Sequence, residues 1–305
     1  MEFTQIDWDA GLEEDLRQLV GLAVREDLAD RGDATSTALF SPDLVGRAAV
    51  VARQPGVLAG SPAVPVILDQ MDSRLRWIEQ TPDGQVLSAG QTVGRIEGHA
   101  RGVLAAERIV LNFLGRLSGI ASLTKQYVDA VRGTGARIYD TRKTTPGWRR
   151  LEKYAVRCGG GRNHRTGLFD AVLIKDNHLA AAQSAGGTAS PAALVERVRR
   201  AVGRAPGPGT GPMIVEVEVD SLEHLDAVLA SRPDIVLLDN MLLGELREAV
   251  ARRNAVAPGV QLEASGGITL ATVREVAATG VERISVGALT HSAAAVDFGL
   301  DWLPL

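Results

Sequence analysis

The sequence predicts an α/β protein in two parts: a mixed α/β unit, then a parallel β/α barrel. Three observations carry this. At 305 residues the chain is long for a single domain. After residue 133, short apolar runs alternate six times with amphipathic stretches of helical period, the pattern of parallel strands joined by helical crossovers. Each run closes on a polar, charged or glycine position, as barrel strands do where they open onto a ligand. A doubly wound open sheet also binds at strand ends, but only beside one crevice. Six such ends favour the barrel.

Asp9 caps a helix reaching about Leu28, with Leu12, Leu16, Leu19, Ala23 and Val24 on one face. VGRAAVVAR (45–53), RLRWIEQ (74–80) and QTVGRIEG (91–98) read as strands, with Asp83-Gly84 a turn signal between the last two. SPAVPVILDQM (61–71) reads as a short helix with proline near its start. Residues 101–133 read as helical with a break near 117–119. The six runs are ARIYD (136–140), AVLIK (171–175), MIVEVEV (213–219), DIVLLD (234–239), VQLEAS (260–265) and ERISV (282–286). Helical stretches fall near 149–157, 191–203, 221–230, 244–256 and 270–279. The Gly/Pro-rich loops at 183–190 and 204–212 are expected to be mobile.

Composition narrows the function classes. Apolar residues at 45% with a net charge of -4 exclude global disorder. No apolar run reaches the ~18 residues of a membrane span. The first thirty residues hold nine acids and two arginines, against a secretory or transit leader, so the expected location is the cytoplasm. The single cysteine, Cys158, cannot form an internal disulfide or build a thiolate zinc site. The five histidines lack zinc-protease spacing, and no GxSxG elbow, P-loop or strand-linked GxGxxG is present.

The charges are uneven. Only four of the 33 basic residues are lysines, and Lys125, Lys143, Lys153 and Lys175 lie close together in the sequence. Between 142 and 165 there are eight Lys or Arg and one acid, Glu152, which implies a polyanionic partner. Nucleic acid is disfavoured, because only Trp148 and Tyr154 interleave and the pI is about 5.8. Arg149, Arg150, Lys153 and Arg157 recur at helical spacing and suit a solvated face. Arg142, Lys143, His164 and Arg165 are not accounted for that way. Alternation puts Glu216 and Glu218 on one side of their strand, the barrel interior or mouth. They and Asp239 must be paired or bind a cation. A structural salt bridge and a magnesium ion shared with substrate phosphates both satisfy that. Ser265-Gly266-Gly267 and Val286-Gly287-Ala288 follow the last two strands, where barrels often hold a phosphate.

The string DTRKTTPGWRRLEKYAVRCGGGRNHRTGLFDAVLIKDNH (140–178) resembles the signature of the quinolinate phosphoribosyltransferases. EDLADRGDATS (26–36), AERIVLNFLGRLSGIASLT (106–124), VEVEVDSLEHLDAVL (215–229), VLLDN (236–240), LEASGGI (262–268) and ISVGALTHS (284–292) resemble that family in the same order. The resemblance implies an α/β sandwich over 1–116, with the tail 290–305 packing back on it, and an incomplete β/α barrel over 117–289. It implies a homodimer, or an assembly of dimers, with sites built from both subunits. It implies transfer of phosphoribosyl from phosphoribosyl pyrophosphate to quinolinate with decarboxylation, in NAD synthesis. Arg142, His164, Arg165 and Lys175 would hold the two carboxylates, with Thr141 beside them and Arg108 from the neighbouring subunit. Lys143, Glu218 and Asp239 would be catalytic, facing the phosphoribosyl donor and its Mg²⁺, with the two acids as metal ligands directly or through water. Ser265, Gly266, Gly267, Val286, Gly287 and Ala288 would cradle the 5-phosphate, near His291. No nucleic acid or membrane partner is implied.

Overall fold

The computed structural model describes residues 2–184, 190–202 and 213–304. The loops expected at 183–190 and 204–212 lie almost wholly outside the described residues. Contacts divide the chain into two compact units, Ile6–Lys125 with Thr144–Gly160 and Leu289–Leu305, and Met1–Gln5 with Gln126–Lys143 and Gly161–Ala288. No helix among the described residues is long and apolar enough to cross a membrane.

The first unit opens with α1 (Ala10–Leu28), whose Asp9 carboxylate accepts the Leu12 N–H at 2.7 Å. Its core-facing residues are Leu12, Leu16 and Val20, a narrower stripe than the sequence suggests. Then come α2 (Ala34–Leu39), β1 (Val45–Ala52), β2 (Gly56–Val57), α3 (Ala63–Met71), β3 (Arg76–Glu79), β4 (Val86–Leu87), β5 (Thr92–His99) and α4 (Ala100–Ala130). β1 pairs antiparallel with β5 and with the strand Phe298–Leu303, and β3 pairs with β5. Helix α4 is continuous, so the break expected near 117–119 is absent. Gly119 instead admits a neighbouring backbone: a Cβ there would lie 2.1 Å from the Ala294 carbonyl oxygen.

A second correction concerns α5 (Arg149–Cys158), expected as a barrel crossover with a solvated basic face. It groups with the first unit. Arg150 pairs with Asp9 at 2.7 Å and Asp15 at 3.3 Å. Arg157 reaches Asp7 at 3.3 Å, Lys153 is fully buried, and the Tyr154 hydroxyl donates to Asp83 at 2.8 Å. The basic residues at helical spacing are therefore largely internal ties.

The second unit is built on β6 (Arg137–Tyr139), β7 (Val172–Ile174), α6 (Asp176–Ser184), α7 (Pro191–Val202), β8 (Val215–Val219), α8 (Leu222–Ala230), β9 (Ile235–Asp239), α9 (Leu243–Val256), β10 (Gln261–Ser265), α10 (Val273–Ala277) and β11 (Arg283–Ser285). All six strands are parallel, in the order β6-β11-β10-β9-β8-β7. Followed round as a ring, neighbours are consecutive in sequence, the first strand lies beside the last, and the opening falls between β6 and β7. A doubly wound sheet would reverse its order at a switch point. The sheet is an incomplete barrel, and a bridge from Tyr139 to Arg162 extends it into the opening. Val215, Val217, Val236 and Leu238 are buried, each contributing on the order of 1.5–3 kcal/mol. Period-two alternation puts Tyr139, Glu216, Glu218, Asp239, Glu263, Ser265, Arg283 and Ser285 on the opposite face of their strands.

Candidate active site

The site residues of the barrel unit gather at the carboxyl ends of its strands. Thr141, Arg142 and Lys143 follow β6, and the Thr141 hydroxyl accepts the Lys143 N–H at 3.0 Å. Lys175 follows β7, and its Nζ lies 2.7 Å from Glu218 Oε2 on β8. Asp239 ends β9 in register with Ser265 on β10. Arg165 is buried and donates to the Ala171 carbonyl at 3.1 Å. Burial and then the Arg142 cation press its pKa below the ordinary guanidinium value, while Glu216, Asp170 and Glu218 oppose them. The nearby Arg142 cation thus makes this a setting that favours an incoming anion. Arg108 and His291, also expected in the site, are exposed residues of the other unit.

Beneath this layer lies a buried charge network. His164 Nδ1 accepts the Arg165 backbone N–H at 2.9 Å, and Nε2 faces Glu216 at 3.0 Å and Glu263 at 3.4 Å. Burial pushes the imidazole's pKa down and the two carboxylates push it up. With Nδ1 accepting the Arg165 N–H, the ring proton sits on Nε2, between the two carboxylates. Burial also pushes Glu216 up. Burial opposes Glu263 as well, yet His164 and Arg283 hold it down at about 2. Arg283 binds Glu263 at 2.8 Å and stacks on the Tyr139 ring at 3.6 Å. His164, expected among the carboxylate ligands, is buried, with Nδ1 on the Arg165 N–H and Nε2 within 3.4 Å of two carboxylates.

The ligand atoms of His164, Glu216 and Glu263 lie within 4.8 Å of one another, close enough to surround a metal ion. The Arg283 guanidinium on Glu263 already supplies a neutralising cation, which an added metal would meet. Glu218 and Asp239 suit a hard divalent ion better. Both are partly open at neighbouring strand ends, and both offer carboxylate oxygens that Mg²⁺ accepts alongside phosphates.

The glycine turns have a specific geometry. Asn240 holds a left-handed φ of 55°, and its N–H donates to the Ser265 carbonyl at 2.9 Å. A Cβ on Gly266 would sit 2.2 Å from Asn240 Oδ1, so this turn requires glycine. Three residues escaped sequence reasoning. Asp140, wholly buried, accepts the His164 N–H at 2.9 Å and the Asn163 side chain at 2.7 Å. Its signal was the acid closing ARIYD. Glu263 and Arg283 looked like ordinary strand residues, and only their alternation with apolar neighbours hinted at an inward face.

Two family models account for most of the chain: the quinolinate phosphoribosyl transferase N-terminal domain matches residues 33–118, and the C-terminal domain matches residues 120–301. The chain belongs to the quinolinate phosphoribosyltransferase family. Similarity within this family is broad. The chain is 45% identical to the carboxylating nicotinate-nucleotide pyrophosphorylase of Mycobacterium leprae, over 93% of this chain and 96% of that protein. It is 37% identical to a probable carboxylating nicotinate-nucleotide pyrophosphorylase of Bacillus subtilis, over 94% and 93%. Its structure resembles the nicotinate-nucleotide pyrophosphorylase of Francisella tularensis with a TM-score of 0.87 at 34% identity, covering 99% of this chain and 100% of that one. The quinolinate phosphoribosyltransferase assignment rests on both domains, not on the barrel alone.

Proposed function

We propose that the chain transfers phosphoribosyl from phosphoribosyl pyrophosphate to the ring nitrogen of quinolinate with loss of CO2. The products are nicotinate mononucleotide and pyrophosphate, in NAD synthesis. The observation that carries this reading is the set of cations at the strand ends, Arg142 after β6, Lys175 after β7 and the buried Arg165 anchored on the Ala171 carbonyl, which a doubly ionised pyridine complements. Arg142, His164, Arg165 and Lys175 bind the two carboxylates, and Thr141 lies beside them. His164 braces Arg165 from behind through its backbone N–H.

Positive charge builds at the anomeric carbon as its bond to pyrophosphate breaks, by analogy with glycosidases. The carboxylates of Glu218 and Asp239 face that charge, and Lys143 faces the departing pyrophosphate. The ring nitrogen forms the new bond, so no protein nucleophile is required. The resulting pyridinium accepts the electron pair left when the adjacent carboxylate departs as CO2, and a proton replaces it on the ring carbon. Mg²⁺, held by Glu218 and Asp239, would neutralise phosphate charge on the donor. The turns at Ser265, Gly266 and Gly267 and at Val286, Gly287 and Ala288 cradle the 5-phosphate, with His291 near. The working form is a cytoplasmic homodimer in which Arg108 serves the neighbour's site.

Assay with quinolinate, nicotinate and nicotinamide tests the reading. Pyrophosphate release with quinolinate alone is expected; turnover of nicotinate but not quinolinate would defeat it. Asp239→Asn should raise the Mg²⁺ concentration giving half-maximal rate, and an unchanged Mg²⁺ dependence would remove Asp239 from its role.

A further inference from the structure

We infer that residues 2–5 form a positioning element for the dicarboxylate pocket, fixing the segment 163–165 that carries His164 and Arg165. The inference rests on the proposed function and deepens it. These residues lie before the span that the family models match.

Each of the four makes a separate contact. The Gln5 side chain pairs with the Asn163 backbone in both directions: Nε2 donates to the carbonyl at 3.0 Å, and Oε1 accepts the N–H at 2.9 Å. The amide thus acts as a strand partner for the residue immediately before His164. The Thr4 hydroxyl donates to Asp170 at 2.9 Å, and the other Asp170 oxygen accepts the Thr166 N–H at 2.7 Å. That holds the far end of the same loop. The Phe3 ring lies on His164 at 4.3 Å between centroids and under the Arg283 guanidinium at 4.9 Å. The Glu2 carboxylate accepts the Tyr139 hydroxyl at 2.9 Å and pairs with Arg137 at 2.6 Å.

The consequence follows from the order of bonds. Asp140 grips Asn163 and His164 from one direction, and Gln5 and Phe3 grip them from another. The imidazole is thereby held where Nδ1 meets the Arg165 N–H and Nε2 meets Glu216. Removing Phe3 leaves an apolar gap over the ring, and removing Gln5 takes two hydrogen bonds from the buried Asn163 backbone. Both let Arg165 leave the place that a substrate carboxylate needs. A shift of about 1 Å in such a group costs on the order of a hundredfold in rate. These hydrogen bonds and ring contacts go to 137–139, 163–170 and Arg283, not directly to the turns at 265–267 and 286–288, so quinolinate is expected to be affected more than the donor.

The test uses the full-length protein with Phe3→Ala, Gln5→Ala and the size-retaining Phe3→Leu. Val236→Ala, a core truncation on β9, serves as a control for lost stability. Quinolinate affinity is read by calorimetry, and KM for each substrate by pyrophosphate release. Phe3→Ala and Gln5→Ala are expected to weaken quinolinate at least tenfold, with the donor KM within about twofold and kcat/KM for quinolinate falling in step. Phe3→Leu should recover part of the loss. Val236→Ala, at a similar fall in Tm, should leave both substrates unchanged. Unaltered quinolinate affinity in folded Phe3→Ala and Gln5→Ala overturns the inference. So do equal losses for the two substrates, or the same loss in Val236→Ala. A wild-type protein that neither binds nor turns over quinolinate overturns the proposed function itself, a distinct result.

Discussion

Arg165 shows how one residue is made ready for an anion. Its guanidinium is buried, anchored to the Ala171 carbonyl, and pressed by Arg142, while its backbone is tied to His164 Nδ1. Below it, Glu263 pairs with Arg283 at 2.8 Å and faces His164 Nε2 at 3.4 Å. Its carboxyl, held at about 2 by His164 and Arg283 against burial, lies below the ordinary 4.5. A carboxyl depressed in the folded state stabilises above its unfolded value and loses that contribution as pH falls through the folded one. Glu263→Gln should therefore lower stability by about 3–5 kcal/mol at neutral pH, the cost of stranding a buried partner. The gap in Tm between wild type and variant should narrow as pH drops from about 4.5 toward 2. A gap independent of pH would show that Glu263 is not ionised in the native protein.

Among the elements, α4 is the one whose sequence misleads. Glycine lowers helix propensity, and Gly119 falls where an interruption is expected. The helix continues, and the glycine serves close contact with the 294–295 backbone rather than a bend. Gly119→Ala, although a better helix former, should destabilise by about 1–3 kcal/mol through overpacking. Chemical denaturation reads this directly, and a stabilised variant would contradict the contact. The six barrel strands were legible because alternation with helical stretches leaves a period in the sequence. Arg142, Lys175, Glu218 and Asp239 were legible because they close those strands. The role of α5 was not: its spacing matches a crossover helix, and only partners distant in sequence, Asp7, Asp9, Asp15 and Asp83, show where it packs. The contacts of residues 2–5 were hidden for the same reason, since a short polar and aromatic stretch carries no period.

At the scale of the molecule, a chain of net charge -4 concentrates cations at one end of a barrel and sets carboxylates beside them. Arg142, Arg165 and Lys175 make one pole; Glu218 and Asp239 make the other, at neighbouring strand ends. A dicarboxylate pyridine belongs at the first pole, and a ribose losing its pyrophosphate belongs at the second. The two poles meet at Lys175 and Glu218, whose side chains pair at 2.7 Å. The most direct measurement is a crystal structure with quinolinate bound. Both carboxylates should lie against Arg142, His164, Arg165 and Lys175, with the ring nitrogen turned toward Glu218 and Asp239. Quinolinate lodged away from those guanidiniums, or its nitrogen turned from the acids, would contradict it.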